Sequence, residues 1–211
     1  MRAKAEDQET RGRLLAAAAR LFAERGFAKV TVRDICRKAR ANVAAVNYHF
    51  GGKVGLYEEV LQSAMRTMQS TTEAARDAGA GQTPERQLRV YVDVFLQRVV
   101  GGGHDGWIHQ FMLREMSDPT PALDTVIEQV IKPRMVYLCG IIAELLGCPA
   151  QDPRVARCAL SVHTQCLALM DNPVASRMSP AFERTPQTIE TMTDHIARFS
   201  LAGIREISTA R

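Results

Sequence analysis

Apolar residues recur at spacings of three and four along most of the chain, which is the pattern of helices that pack through one face. The first such stretch covers residues 9–25 and ends at Gly26, a residue type that commonly follows the last turn of a helix. Further stretches with this spacing lie at 53–76, 84–100, 105–116, 122–146, 152–170 and 188–207. No segment alternates apolar and polar residues with the period of two that a half-buried strand requires. The pattern therefore predicts an all-α fold.

Two short helices are predicted directly after the first one. Thr31 is a favourable N-cap, and Asp34 stands three positions later, where its side chain reaches back to the N–H of the cap. Val30 and Ile35 occupy the two positions of a hydrophobic staple around that cap. The first of the two short helices is therefore expected to begin at Val32.

The second short helix has two different faces. Asn42 is suited to cap it. Val43, Val46 and Phe50 are spaced so that one side packs inward. The opposite face presents small or hydrogen-bonding side chains, namely Ala44, Ala45, Asn47, Tyr48 and His49. Such side chains approach base edges and phosphates closely, where acidic ones are repelled, so the pair fits a DNA-reading helix-turn-helix. An ordinary helical corner with a solvated polar face is the alternative, because helical hairpins are common.

The charge distribution favours DNA binding. The net charge of the chain is +4, but residues 1–60 hold 12 Lys or Arg against 7 Asp or Glu, whereas residues 61–211 hold 15 against 16. The excess positive charge therefore lies in the segment that carries the two short helices. A surface that neutralises phosphates has this property.

This segment resembles the DNA-binding domain of the TetR family of bacterial transcriptional regulators. The resemblance covers about residues 9–60 and is carried by Phe22, Gly26, Thr31, Ile35, Ala39, Tyr48, His49, Phe50, Lys53, Leu56 and Tyr57. The stretches 48–53 and 114–121 resemble the CecR-like branch of that family. The resemblance implies a three-helix DNA-binding domain, expected at residues 1–52. A helical-bundle domain for ligand binding and dimerisation is expected at 53–211.

Two positions depart from the family pattern. Arg40 stands in the turn where the family usually has Gly, and a left-handed conformation there costs Arg about 1 kcal/mol relative to Gly. We therefore expect a slightly different turn. Asn47 replaces a frequent Tyr, and Asn pairs bidentately with adenine, so base preference is not transferable from relatives.

Nine residues are predicted to contact DNA. Lys53 resembles the family's phosphate-contacting lysine, at a helix start whose free N–H groups assist it. Thr31 and Tyr48 are also expected at phosphates. Base preference is expected to depend on Arg33, through guanine, on Asn47, through adenine, and on the small pair Ala44 and Ala45. His49 fits either role, and the cap residue Asn42 completes the set.

The remaining helices predict a domain that binds a small-molecule effector of unknown identity. Pro133 should kink the helix 122–146, and the glycines at 101–103 should form a flexible junction, so packing is expected to be interrupted nearby. The candidate ligand-binding residues are Trp107, Phe111, Arg114, Tyr137 and His163, which suit a moderately apolar, aromatic or anionic effector. Each also has an ordinary interpretation as a core residue or, for Arg114, as the partner of an acidic group.

The helices 152–170 and 188–207 are predicted to form a homodimer through a four-helix interface. A two-fold axis lets two helix-turn-helix units read a palindromic operator. The alternative is that the apolar stripes of these helices fill only the core of their own chain.

Composition adds few constraints. With 46% apolar and 24% charged residues and no run of about 20 apolar residues, the chain is expected to be cytoplasmic and to lack a membrane span. Five cysteines without paired spacing predict reduced thiols. His163 and Cys166 share a helical face, but no further ligands accompany them, so neither a metal site nor a cofactor is predicted.

The sequence thus predicts a DNA-binding transcriptional regulator, in the form of a repressor released from its operator by the effector. A helical DNA-binding dimer without a ligand is the alternative, although about 150 residues beyond the reader exceed what such a protein needs. An enzyme is disfavoured, because the chain contains no nucleophile elbow, phosphate loop, dinucleotide fingerprint or zinc-protease motif.

Overall fold

A computed structural model of the chain describes residues 2–99, 106–169, 177–179 and 185–209. Its helices are α1 (Arg2–Lys29), α2 (Val32–Ala39), α3 (Val43–Phe50), α4 (Lys53–Gly79), α5 (Pro84–Val99), α6 (Gly106–Ser117), α7 (Leu123–Val126), α8 (Lys132–Leu146), α9 (Pro153–Ala168) and α10 (Pro186–Thr209). These residues contain no strand, so the all-α prediction is confirmed. None of the helices in the described part of the chain is long and apolar enough to cross a membrane.

The helix boundaries follow the apolar periodicity closely, with two differences. Helix α1 begins at Arg2 rather than at residue 9, and Gly26 interrupts it with φ 78° and ψ 164°. Before Pro133 the chain forms a π-helical turn, Ile127–Ile131, where a kink was predicted. A π-turn is a common way to insert an irregularity into a helix, and Pro has no N–H to continue the regular bonding. The glycine junction predicted at 101–103 and much of the loop predicted at 172–186 lie outside the described residues.

The chain divides into two compact units. Unit 1 comprises the described residues of 1–67 and 107–124, and unit 2 comprises those of 68–106 and 125–211. Unit 1 therefore contains α1 to α3, the first part of α4 and nearly all of α6, and unit 2 contains the second part of α4 with α5 and α8 to α10. The domain boundary expected at residues 52 and 53 remains a prediction.

In unit 1, a buried carboxylate ties α6 to α4. Glu115 accepts hydrogen bonds from the hydroxyl of Tyr57 and from the backbone N–H and hydroxyl of Thr120, the latter two at 2.9 and 2.6 Å. Burial, and next the hydrogen bond to Glu115, raise the pKa of Tyr57, so it remains a donor at any physiological pH. A buried charge is tolerated when hydrogen bonds replace its water, and Glu115 has three. Thr120, three residues after the end of α6, is thus close enough for the chain to fold back and bind Glu115.

The turn between α2 and α3 is left-handed despite the arginine in it. Arg40 has φ 52° and ψ 48°, the one non-glycine positive φ among the described residues. The N–H of Arg40 donates to the carbonyl of Arg37, and the N–H of Ala41 donates to that of Cys36 at 3.0 Å. These two bonds form a Schellman motif, which glycine usually closes. The turn therefore has the geometry that a glycine would give, so the expectation of a slightly different turn was wrong, and the arginine bears the strain.

In unit 2, α5, α8, α9 and α10 pack around one apolar core that contains a small polar cluster. The hydroxyl of Tyr91 on α5 lies 3.0 Å from Nδ1 of His163 on α9. Arg134 on α8 is 6% exposed and its guanidinium lies over the ring of Phe95. Burial, and next the nearby Arg134 charge, lower the pKa of His163 to about 4. His163 is therefore neutral at pH 7.

Replacing Arg40 by glycine should stabilise the protein. Glycine adopts the left-handed conformation without strain, so the free energy of unfolding of Arg40→Gly is expected to rise by about 0.5–1 kcal/mol. The matched control is Arg33→Gly, an exposed position inside α2, where glycine should cost about 1 kcal/mol. Urea unfolding of both variants measures the effect, and equal signs for the two substitutions would contradict the strain argument.

Unit 2 should lose stability in mild acid because of His163. The unfolded imidazole binds a proton near pH 6.5, whereas the folded one binds it only near pH 4, so the free energy of unfolding falls as pH drops through this window. In His163→Phe this fall is expected to be smaller by on the order of 2 kcal/mol. The exposed His195→Phe serves as control and should keep the slope of the wild type. Thermal or urea unfolding between pH 7 and pH 4 measures how the free energy of unfolding depends on pH. The same dependence in His163→Phe and wild type would refute the lowered pKa of His163 as its cause.

Candidate nucleic-acid interface

Helix α2 begins with the cap that the sequence predicted. The N–H of Asp34 donates to the hydroxyl oxygen of Thr31 at 3.1 Å, and the N–H of Thr31 donates to the Asp34 carboxylate at 3.2 Å. The hydrogen bonds from Thr31 lower the pKa of Asp34 and keep the cap ionised. Val30 and Ile35 are both buried, as expected for a hydrophobic staple. The capping prediction for α2 is confirmed.

Helix α3 is capped by Asn42, whose side-chain oxygen accepts a bond from the N–H of Ala45 at 2.8 Å. Val46 and Phe50 are buried against the rest of unit 1. Val43 is exposed, so the prediction that it packs inward was wrong. A valine in the first turn lies beside the cap and does not reach the row that Val46 and Phe50 form.

The face of α3 opposite the core is open. Tyr48 is 77% exposed, Ala44 and Asn47 are exposed, and Ala45 is half-buried. Thr31, Arg33 and the cap residue Asn42 are also exposed. Seven of the nine residues predicted to contact DNA therefore lie at or near one surface of α2 and α3.

His49 is placed differently from its neighbours on α3. Its side chain is 7% exposed, and Nε2 lies 3.4 Å from the carboxylate of Asp7 on α1. The ring also lies edge-on to those of Tyr48 and Phe50. His49 thus connects α3 to α1 and packs against the ring of Tyr48.

Lys53 begins α4 and is half-buried. Its ammonium lies 4.3 Å from the centre of the Phe27 ring, and burial lowers its pKa. A cation over an aromatic face is held in place but keeps hydrogen-bond donors for another partner. At Gly55, in the first turn of α4, an added Cβ would lie 2.0 Å from the carbonyl oxygen of Phe50. The backbones of α3 and α4 therefore meet without a side chain between them.

Two cations near this surface have no ion pair among the described residues of the chain. Arg37 pairs with Asp34, and Lys38 lies 3.5 Å from the carboxylate of Glu24. Arg33 and Arg40 are exposed and remain available to phosphates or bases. Arg40 was not predicted as a contact from the sequence, although it lies in the turn directly before the cap of α3.

The residues predicted to bind a ligand fall into two groups. Trp107, Phe111 and Arg114 belong to unit 1, where Phe111 packs on Trp107 and Tyr57, and the exposed Arg114 donates to the carbonyl of Glu24 at 3.0 Å. Tyr137 and His163 belong to unit 2.

Both unit 2 candidates lie beside Tyr91. The rings of Tyr137 and Tyr91 are 6.3 Å apart, and the Tyr137 hydroxyl donates to the carbonyl of Ala75 on α4. Sequence reasoning missed Arg134, although Val130, Arg134 and Leu138 form one row at a spacing of four and the two apolar members are buried. In the described part of the chain, no three His, Cys, Asp or Glu side chains are grouped as a metal would require.

Two family models match the chain. That of bacterial regulatory proteins of the tetR family matches residues 14–60, and that of the C-terminal domain of the HTH-type transcriptional dual regulator CecR matches residues 84–204. Together they cover both the helix-turn-helix and the helices that follow it.

Individual proteins agree with these matches. The dual regulator CecR of Shigella flexneri is 29% identical over 168 residues, which is 76% of this chain and 73% of that protein. The probable acrEF/envCD operon repressor of Escherichia coli strain K12 is 33% identical over 99 residues, 46% of this chain and 44% of that one. The crystal structure of SCO4454, a TetR-family transcriptional regulator from Streptomyces coelicolor, superposes with a TM-score of 0.66 at 21% identity, covering 94% of this chain and 97% of that one. The chain therefore belongs to the TetR family of bacterial regulators, in the branch with a CecR-type C-terminal domain, and is a DNA-binding transcriptional regulator rather than an enzyme.

Proposed function

We propose that the protein is a homodimeric repressor whose hold on a palindromic operator is released by a small-molecule effector. The observation that carries the DNA-binding part is the open face of α3, which is capped, free of acidic side chains and flanked by exposed arginines. One relative is named a repressor and another a dual regulator, so the sign of regulation is part of the proposal.

We assign the DNA contacts by chemistry. Lys53, Tyr48 and Thr31 bind phosphates and position the protein without reading sequence. Arg33 and Asn47 pair with guanine and adenine, and the small Ala44 and Ala45 let α3 approach the bases closely. Asn42 acts through the cap that holds α3, and His49 acts through its contact with α1 and with the ring of Tyr48.

For the dimer we propose the outer faces of α9 and α10. Most of the apolar stripe predicted on these helices is buried in the core of the same chain, but Leu160, Leu167, Phe199 and Ile207 are exposed. Phe199 and Leu160 are 65% and 63% exposed, and open space surrounds Gly203 on the same helix as Phe199. Large apolar side chains beside a small residue suit close packing of two helices.

For the effector we propose Tyr137 and His163 in unit 2, which both lie beside the polar side chain of Tyr91. The other three candidates are separate from them and belong to unit 1, where Phe111 packs on Trp107 and Arg114 holds α6 to α1 through the carbonyl of Glu24.

Release requires that the effector bind a DNA-incompetent arrangement more tightly, and a preference of about 1.4 kcal/mol weakens operator binding tenfold. Helix α4 offers the route, because it runs without interruption from the core of unit 2 to Lys53. At Gly55 there is no room for relative movement toward Phe50, so a shift of the first turn of α4 displaces the end of α3.

Substitutions at the two classes of DNA contact should differ in kind. Lys53→Ala, Tyr48→Phe and Thr31→Ala are expected to weaken binding to all sequences alike, because they remove phosphate contacts. Asn47→Ala should instead change the preferred sequence, at a cost of about 1–3 kcal/mol on the operator. Binding-site selection from random DNA, followed by titration of selected and mutated sites, separates the two effects.

The control for these variants is Val54→Ala, an exposed residue beside Lys53 that is not assigned a contact, which should bind as wild type does. An unchanged preferred sequence for Asn47→Ala would remove Asn47 from the readers. A reporter gene under the regulated promoter measures repression in cells. If the Lys53→Ala protein still represses this reporter fully, the repressor proposal as a whole is contradicted.

Disrupting the outer faces of α9 and α10 should produce a monomer. The double variant Leu160→Glu with Phe199→Glu places charges where two apolar surfaces are proposed to meet, so dissociation at micromolar concentration and loss of palindrome binding are expected. The control Met116→Glu changes an exposed apolar residue in unit 1 and should remain dimeric. Sedimentation velocity measures the mass. A monomeric wild type, or a double variant that stays dimeric, contradicts the proposed interface.

A further inference from the structure

Arg134 is a buried cation whose partners are all neutral. Its Nε donates to the hydroxyl of Thr72 at 3.2 Å, and one terminal nitrogen donates to the carbonyl of Met68 at 2.9 Å. The third partner is the face of the Phe95 ring, 5.3 Å from the guanidinium carbon. No Asp or Glu of the described residues forms an ion pair with it. Burial accordingly lowers the pKa of Arg134.

Stability of the fold does not explain an arginine at this position. Arg134 stands between the buried Leu138 of α8 and the buried Val130 of the preceding π-helical turn, where an apolar side chain would pack at no electrostatic cost. A buried charge without an opposite charge is costly, and apolar replacements of buried ionic groups are often neutral or stabilising. Arg134 therefore has the property of a binding group whose counter-charge arrives with a ligand.

The surroundings of the guanidinium define the ligand. The crevice beside it is lined by Thr71, Thr72, Ala75, Tyr91, Phe95 and Arg134, which are aromatic, small or hydroxyl-bearing. His163, which is hydrogen-bonded to Tyr91, has its pKa lowered to about 4 and is therefore neutral, so it adds no second positive charge at pH 7. A ligand with one negative charge and an apolar or aromatic body matches this environment.

The crevice is closed in this structure. It contains no space wide enough for a water molecule. Its closure depends on Arg134, since the two hydrogen bonds of the guanidinium go to Met68 and Thr72, one turn apart on α4. A carboxylate offers the guanidinium stronger, charge-assisted bonds than a carbonyl and a hydroxyl do. Binding of an anion therefore competes directly with the attachment of α4 to α8.

We propose that Arg134 is the anion-binding group of the effector site, and that a small organic monoanion binds it between α4, α5 and α8 in place of Met68 and Thr72. This inference rests on the proposal that a small molecule regulates the protein. It adds the chemical class of the effector and the contact that the effector breaks, namely the hold of Arg134 on α4.

The test compares carboxylates with their uncharged amides on the full-length protein. The probes are benzoate, 1-naphthoate and decanoate. Each is compared with its own amide, namely benzamide, 1-naphthamide and decanamide, which has nearly the same shape. Isothermal titration calorimetry on wild type is expected to show at least one carboxylate binding about tenfold or more tightly than its amide. If no carboxylate is preferred over its amide, the proposal is overturned.

Two variants locate the charge. Arg134→Met keeps a long side chain without the charge, so the ratio of carboxylate to amide affinity should fall to about one. Arg134→Lys keeps the charge without the planar guanidinium and should retain part of the preference for the carboxylate. The control Arg86→Met removes an exposed arginine of α5 to which no role is assigned, and should leave the preference unchanged. Circular dichroism verifies that each variant is folded; if Arg134→Met is not, the reduced preference of Arg134→Lys carries the test. A preference that survives both Arg134 substitutions, or that is lost in Arg86→Met, overturns the assignment.

A mobility-shift assay with the operator separates this inference from the proposed function. Release of DNA by a carboxylate in wild type but not in Arg134→Met supports both. Carboxylate binding that requires Arg134 but leaves the DNA complex intact supports the anion site and refutes effector release. Release by the amides as well as the carboxylates supports effector regulation and overturns the anion site.

Discussion

A charge taken out of water must be given other partners, and both units of this protein contain one side chain that faces this constraint. In unit 1 it is Glu115, which receives three hydrogen bonds from Tyr57 and Thr120 and thereby ties α6 to α4. In unit 2 it is Arg134, which reaches two oxygen atoms of α4 from α8. In each case the charge is attached to a different part of the same helix. The position of α4 within each unit thus depends on a polar contact, while the apolar surroundings contribute packing without direction.

The two contacts differ in how completely they compensate the charge. Glu115 accepts hydrogen bonds from the hydroxyl of Tyr57, whose pKa is raised, and from both donors of Thr120. We therefore expect no ligand to form stronger hydrogen bonds to Glu115 and displace these donors. Arg134 is bound by a carbonyl, a hydroxyl and a ring face, all of which a carboxylate surpasses as a partner. The attachment of α4 in unit 1 is therefore the better compensated one, and the attachment in unit 2 is the contact that the proposed anion would replace.

Much of the fold could be predicted because its determinants are local. Thr31 with Asp34 and Asn42 with Ala45 form their bonds within one turn, so the residue types alone indicate where α2 and α3 begin. The apolar spacing of the longer helices likewise reports which face is buried. The outcome at Arg40 was less predictable, because the sequence gives the strain of a left-handed arginine but not whether the surrounding helices enforce it.

The contacts across the chain were not predictable in the same way. Whether His49 faces DNA or α1, and whether Val43 is buried, depends on the angle at which α3 crosses its neighbours, which no local pattern encodes. The α4 partners of Arg134 and Glu115, Thr72 and Tyr57, lie about 60 residues away in the sequence, so a single sequence shows at most a charged residue inside an apolar row. The candidate ligand-binding residues were predicted from their side-chain chemistry, which does not show that three of them belong to unit 1 and two to unit 2.

The junction between α3 and α4 has a consequence for exchanging parts between regulators. Because the backbone at Gly55 lies directly against the carbonyl of Phe50, the first turn of α4 is shaped together with the end of the preceding helix. A chimera joined at residue 52 would combine two surfaces that were not shaped for each other, and any donor sequence with a side chain at this position would not fit. We therefore expect that a DNA-binding segment transferred between regulators has to extend past Gly55, into the helix that the sequence alone assigns to the other domain.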